Sequence, residues 1–264
     1  MNEPFADIHC HLLPGIDDGA KHWDDALAMA RLAADDGTAT IVATPHQLGS
    51  WSDNGGDEIR QLVAECNERL VAENIPVTVL AGGEIRIEPG LIDQLVTGEL
   101  VTLGDHRRHV LLELPHELYF PLDGLMQELA ARRITVVLAH PERNEGLLRQ
   151  PDLAVDLADA GCLMQLTAGS FCGTMGPHVE DMAEWMIGEG LVHIVATDGH
   201  GPRSRRPLMD RAYERICELA DVETADDLCS RHPARIAAGR SVAAGRRAVQ
   251  RRRRTSWWSS RKSA

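Results

Sequence analysis

Lysine is almost missing from this chain of 264 residues: Lys21 and Lys262 are the only two. No apolar stretch approaches the roughly 20 residues needed to span a bilayer. The opening Met1-Asn2-Glu3-Pro4-Phe5 holds neither a basic region nor an apolar core. It does not read as a signal peptide, and the expected location is cytoplasmic. The six cysteines, at 10, 66, 162, 172, 217 and 229, form no Cys-x-x-Cys pair. That argues against a disulfide framework or a structural zinc site and fits a reducing compartment. Basic residues are scarce in the body too. Nine of the 27 lie in residues 240–264, a stretch with no acid, so 27 less 9 leaves 18 against 40 acidic residues, a balance of −22. An acidic body of this kind is a poor surface for phosphate-rich polymers, and no specific nucleic acid is expected as a partner. No internal repeat is visible.

What is present is an alternation of short, β-rich apolar runs with helical patterns. Strands are predicted near 5–9, 39–43, 77–81, 109–114, 134–139, 162–167 and 192–197, and helices over Trp23–Asp36, Asp57–Glu73, Leu122–Arg133, Asp152–Ala160 and Val179–Glu189. Such alternation implies βαβ units and a parallel sheet. Seven units fit a distorted (β/α)7 barrel, with a doubly wound open sheet as the competitor. One domain is expected over 1–245. Residues 246–264, Arg-rich and ending near Trp257-Trp258, read as a disordered basic tail. Such a tail suits contact with an anionic membrane surface.

Five histidines and four acids sit at the ends of the apolar runs: His9, His11, Asp18, His46, Glu84, Glu113, His140, Asp198 and His200. In a parallel barrel the C-terminal strand ends converge on one face, whereas an open sheet spreads them along an edge. His9 and His11 share a face of their strand, because residues i and i+2 do. Neutral imidazoles mixed with carboxylates suit Mn, Fe or Zn ahead of Ca or Mg, and the set reads as a multi-metal hydrolase. Asp17 and Asp18 have an alternative role as caps of the helix near Trp23. The other histidines (22, 106, 109, 116, 178, 193 and 232) are read as non-ligands.

Two competing chemistries are set aside. Cys229-Ser-Arg-His-Pro-Ala-Arg235 matches Cys-x5-Arg, but that phosphate loop needs successive backbone N–H donors between a strand and a helix. Pro233 removes one donor, no glycine lies inside, and the preceding Thr224–Leu228 reads helical. Amidohydrolase barrels also open with His-x-His but commonly bridge their metals through a carbamylated lysine. Neither Lys21 nor Lys262 stands at a strand end.

The motifs Asp7-Ile8-His9-Cys10-His11, Gly15-Ile16-Asp17-Asp18-Gly19, Thr44-Pro45-His46, Gly83-Glu84, Leu112-Glu113 and Ala139-His140-Pro141-Glu142-Arg143 together resemble a known family. It is the CpsB/YwqE-type protein-tyrosine phosphatases of the polymerase and histidinol phosphatase (PHP) superfamily, and the likeness runs from about residue 5 to Pro207. The resemblance implies a distorted (β/α)7 barrel with up to three metals, usually Mn²⁺. By position, His9, His11, Glu84 and Asp198 would hold the first. Glu84, Glu113 and His140 would hold the second, and Asp18, His46 and His200 the third. Arg143 would hold phosphate, as would Arg206, matched by its following proline, with Arg203 and Arg205 as alternatives. Asp198 or His200 would supply a proton where a leaving group needs one. A metal-bound hydroxide would attack phosphorus directly. The implied substrate is phosphotyrosine on a membrane-associated bacterial tyrosine kinase that controls capsule or exopolysaccharide assembly. A histidinol-phosphatase-like enzyme and a phosphodiesterase or exonuclease are the alternatives. The sequence departs from the family at Thr197-Asp198-Gly199-His200, where members usually read Ser-Asp-Ala-His.

Overall fold

The β-branched runs become parallel strands, and two of them break just before their C-terminal ends. The computed structural model describes residues 3–247. Its strands are β1 (Phe5–Cys10), β2 (Thr38–Ala43), β3 (His46–Gln47), β4 (Thr78–Ala81), β5 (Glu84–Arg86), β6 (His109–Glu113), β7 (Thr135–Ala139), β8 (Leu163–Thr167) and β9 (Val192–Ala196). The helices are α1 (Trp23–Asp35), α2 (Gly56–Ala72), α3 (Leu91–Thr97), α4 (Asp123–Ala131), α5 (Glu145–Arg149), α6 (Asp152–Asp159), α7 (Pro177–Gly188), α8 (Asp210–Leu219), α9 (Val222–Asp226) and α10 (His232–Ala237). Each predicted strand and helix is found. The short β3 and β5 were not anticipated. They follow β2 after Thr44-Pro45 and β4 after Gly82-Gly83; a proline lends no N–H to a ladder, so the sequence carries these breaks itself.

Hydrogen bonding orders the strands β1-β2-β4 in one sheet and β3-β5-β6-β7-β8-β9 in the other. Because β2 runs on into β3 and β4 into β5, the two sheets are parts of one ring of seven units. The ring meets itself just beyond β9. There the Asp198 N–H donates to the His9 carbonyl at 2.7 Å and the His11 N–H to the Gly199 carbonyl at 2.8 Å. Inside the ring, Ile8, Val42, Leu80, Leu111, Val137, Leu163 and Ile194 contribute one residue from each unit to a single apolar cluster. Two further clusters lie elsewhere in the fold. An open sheet has no such inner cluster, so the expected distorted barrel is the fold.

Ile236, Ala237 and Val242 join the inner cluster and stop one end of the barrel. The chain beyond stays attached. Arg246 pairs with Asp159 at 2.9 Å, Arg247 with Asp227 at 2.7 Å, and the Arg247 N–H donates to the Gly190 carbonyl at 2.8 Å. The expected tail from 246 therefore has its first two residues on the body, and its remainder, from 248, lies outside the described residues.

His193 ties this segment to the barrel. Its Nδ1 accepts from the Met164 N–H at 3.0 Å, and its Nε2 donates to the Gly245 carbonyl at 3.0 Å. Burial pushes its pKa down to about 4. The unfolded chain takes up a proton near pH 6.5 and the folded chain does not, so stability is complete above pH 6.5 and is lost as pH falls toward 4. Over that window one such histidine costs about 3 kcal/mol. Urea unfolding of the EDTA-treated protein and of His193→Gln, at pH 7 and pH 4.5, is expected to show a pH loss about 2–3 kcal/mol smaller in the variant. Equal losses would refute the assignment.

Candidate metal centre

The nine candidate ligands gather at the C-terminal ends of the strands. His9 lies within β1 and His11 just after it; His46 opens β3, Glu84 opens β5 and Glu113 ends β6. His140 follows β7, and Asp198 and His200 follow β9. His140 and Asp198 have positive φ, 32° and 51°. Non-glycine residues held this way are strained by roughly 1–3 kcal/mol each and cluster at functional sites. The Asp17-Asp18-Gly19 loop folds back onto His11, where the Ala20 N–H donates to the His11 carbonyl at 3.1 Å. A Cβ on Gly19 would stand 2.2 Å from that carbonyl oxygen, so only glycine fits. The two aspartates do not cap α1: its N-cap is His22, with no side-chain cap hydrogen bond.

Donor spacing tests whether cations fit. Around a cation held at 2.0–2.1 Å, tetrahedral donors stand about 3.3–3.4 Å apart. His9 Nε2 is 3.3 Å from His11 Nε2. Both nitrogens are 3.3 Å from Glu84 Oε2 and 3.4 Å from Asp198 Oδ1. His46 Nε2 and His200 Nε2 stand 3.5 and 3.4 Å from Asp18 Oδ1. His140 Nε2 is 2.9 Å from Glu84 Oε1 and 3.9 Å from Glu113 Oε1. The nine residues thus stand together, but their donor atoms fall into four overlapping groups that differ from the three expected sets, with His9, His11 and Glu84 in one and His140 beside His9 and Asp198 in another. In the other two, His11 groups with Asp18, His46 and His200, and His46 with Glu84 and Glu113. Among the described residues, no His, Cys, Asp or Glu outside the nine joins such a group.

The charges also call for cations. Burial opposes ionisation of Glu84, but His9, His11 and His140 hold its carboxyl well below the ordinary range. Burial and the charge of Glu84 push Glu113 up to about 7. His11 is raised well above an ordinary imidazole, because hydrogen bonds to Asp17, Asp198 and Glu84 outweigh its burial. A buried group of carboxylates that can stay ionised only beside protonated imidazoles is stabilised when metal ions replace those protons.

Three neighbours of the ligands take roles the sequence did not assign: Gln165 went unmarked, Asp17 reads there only as a possible cap, and Arg205 stands as an alternative to Arg206. His9 Nδ1 donates to Gln165 Oε1 at 2.8 Å and His11 Nδ1 to Asp17 Oδ2 at 2.7 Å, which turns each Nε2 lone pair inward. Gln165 was legible as a polar residue inside the apolar run Leu163–Thr167. The third is Arg205. Asp198 Oδ2 accepts from Arg143 Nη1 and Arg205 Nη2, each at 2.5 Å. Arg206, which the following proline would select, is exposed, as Arg205 is too, and its charge acts only weakly on Asp36, just beyond α1. Arg203 is exposed as well.

Cys229 is fully buried, and burial pushes its thiol pKa up. It lies in the helical stretch Asp227–Arg231 that leads into α10, and nucleophilic cysteines need accessible thiolates. Cys229→Ser is expected to keep activity within twofold, measured on any phosphate ester the protein hydrolyses. Loss of turnover in a folded variant would reinstate the thiol.

The match of this chain to a model of capsular polysaccharide synthesis proteins, CpsB/CapC, covers residues 5–238. The chain belongs to the CpsB/CapC family. Among family relatives, the tyrosine-protein phosphatase YwqE of Bacillus subtilis (strain 168) is 36% identical over 201 residues, 75% of this chain and 78% of its own. The tyrosine-protein phosphatase CpsB of Streptococcus pneumoniae is 27% identical over 237 residues, 87% and 97% of the two chains. A crystal structure from work on YwqE and CpsB, described as unique metal-dependent tyrosine phosphatases, superposes with a TM-score of 0.86 at 30% identity, covering 90% of this chain and 96% of that one. A lactonase from Listeria monocytogenes, at 13% identity and a TM-score of 0.56, shares the fold alone.

Proposed function

We propose that this CpsB/CapC chain is a metal-dependent protein-tyrosine phosphatase, acting on a membrane-associated bacterial tyrosine kinase of capsule or exopolysaccharide assembly. The observation that carries the reading is the pair Arg143 and Arg205 meeting on one oxygen of Asp198, whose other oxygen belongs to the imidazole cluster. Two guanidiniums at the edge of a multi-cation site suit a phosphoryl group. His9, His11, Glu84 and Asp198 would hold a first ion, Glu84, Glu113 and His140 a second, and Asp18, His46 and His200 a third. Mn²⁺ is the preferred ion, with Fe or Zn able to replace it. When bound, such ions make a nucleophile of water near neutral pH and offset phosphoryl charge.

The chain's own residues do the rest. Gln165 and Asp17 fix the rings of His9 and His11. Arg143 and Arg205 bind the phosphoryl oxygens and hold them in the loose transition state. Burial opposes ionisation of Asp198, but the charges of His9, His140 and Arg205 and a hydrogen bond with His11 keep its carboxyl well below the ordinary range. It therefore anchors the arginines as an anion. A phenolate, with a conjugate-acid pKa near 10, leaves with little help, so neither Asp198 nor His200 has to supply a proton.

Among the described residues no helix is long and apolar enough to cross a membrane, and a cytoplasmic location is part of the proposal. So is contact of the basic residues beyond 247 with anionic lipid, each contributing about 1 kcal/mol. The test compares a phosphotyrosyl peptide, histidinol phosphate and a single-stranded oligonucleotide, each with Mn²⁺ and with EDTA. Mn²⁺-dependent hydrolysis of the peptide alone is expected. Preference for histidinol phosphate or the oligonucleotide would overturn the substrate while keeping the metal site.

A further inference from the structure

Aromatic residues make up only 4% of this chain, yet one stands against the ligand cluster. The ring of Trp51 lies 11° from parallel to that of His46, with 6.4 Å between centroids. It is partly exposed and belongs to none of the three apolar clusters, so packing the fold does not account for its place. The loop that carries it is tied down on both sides. Gln47 Nε2 donates to the Asn54 carbonyl at 2.8 Å, and Asn54 Nδ2 donates to the carbonyls of His46 and Ile16, both at 2.8 Å. The Trp51 N–H donates to the Leu48 carbonyl at 3.0 Å. Leu48 and Gly49 both have positive φ, 71° and 59°. At Gly49 a Cβ would stand 2.7 Å from Arg86 Cδ, so the loop rests directly on the residue that ends β5.

We propose that Trp51 is a specificity-determining residue whose indole face receives the aromatic ring of aryl phosphate esters, favouring phosphotyrosine over alkyl phosphates. The assignment rests on the phosphatase reading above. In an aryl phosphate the ring begins two bonds from phosphorus. With the phosphoryl group held at the ligand cluster, the ring projects out of it, and Trp51, partly exposed and nearly parallel to the His46 ring, offers an aromatic face at the edge of that cluster. A rigid aromatic face on a pinned loop binds another ring without first being ordered. A phosphoserine offers it nothing to stack on.

The test uses the full-length Mn²⁺-loaded protein with Trp51→Leu and Trp51→Phe. Calorimetry would measure the affinity of a peptide carrying a non-hydrolysable phosphonate analogue of phosphotyrosine, and that of inorganic phosphate. In parallel, kcat/KM would be compared for one peptide phosphorylated on tyrosine or on serine. In Trp51→Leu the aryl ligand is expected to bind about tenfold more weakly, with kcat/KM for phosphotyrosine falling alike through KM. Inorganic phosphate and phosphoserine should stay within twofold, and Trp51→Phe should keep most of the aryl preference. An aryl loss below twofold would overturn the assignment. So would an equal loss for inorganic phosphate, since Trp51 would then only support His46. A wild-type protein inactive on the phosphotyrosyl peptide would instead overturn the functional reading, and this assignment with it.

Discussion

Glu84→Gln is expected to lower Mn²⁺-supported hydrolysis by roughly 10³-fold or more and to abolish the stabilisation that Mn²⁺ gives the wild-type protein. Glu84 has this weight because four imidazoles converge on it. Its Oε2 stands 3.3 Å from both His9 Nε2 and His11 Nε2 and 3.1 Å from His46 Nδ1, and its Oε1 2.9 Å from His140 Nε2. It is 1% exposed, so no solvent makes up for the lost charge. An amide offers one neutral acceptor where the site needs an anion between cations. Metal at 100 times its dissociation constant stabilises a folded protein by about 2.7 kcal/mol, which in a chain of this size raises Tm by about 5–10 °C. The wild-type protein should show that rise on going from EDTA to Mn²⁺, and Glu84→Gln should not. Metal content, by elemental analysis after gel filtration, gives the independent reading, with far-UV circular dichroism as the control for folding. A variant with wild-type metal content and more than a tenth of wild-type activity would remove Glu84 from the centre of the site.

Arg205→Ala is expected to reduce kcat/KM by about 10²- to 10³-fold, the usual loss for one hydrogen-bond donor to a transition state. Arg206→Ala should stay within twofold. The contrast between two adjacent arginines comes from the backbone. The His200 N–H donates to the Arg205 carbonyl at 2.8 Å, which closes the loop, and Arg205 takes a positive φ of 46°. That turn sends the Arg205 guanidinium to Asp198, while the charge of Arg206 reaches Asp36 only weakly. Competition by inorganic phosphate sharpens the test, since Arg205→Ala should weaken it and Arg206→Ala should not. The reverse pattern would assign the phosphate contact to the residue before the proline.

These two arginines mark where sequence reading stops. Successive residues in an irregular loop project in directions set by φ and ψ, and the proline that makes Arg206 conspicuous says nothing about where its neighbour points. Gln165 and Asp17 are similar cases. Each is recognisable as a polar residue in an informative place, but its contact with His9 or His11 spans 156 or 6 positions and exists only after folding. Trp51 has no local pattern around it at all, and its meaning is its angle to His46. By contrast, the strands and the candidate ligands at their ends were legible because both obey local rules. An apolar run of about five residues ending in a histidine or acid is a barrel strand with a functional end, and His9-Cys10-His11 has the spacing that puts two side chains on one face.

The sequence alone therefore determined the alternation of strands and helices and the nine polar residues at strand ends. Both follow from composition and short-range periodicity. The tertiary structure decided how closely the nine approach one another, which arginine meets Asp198 and what orients the imidazoles of His9 and His11. Those depend on closing the ring between β9 and β1, a contact between residues 9 and 198 whose geometry no local stretch of the chain contains.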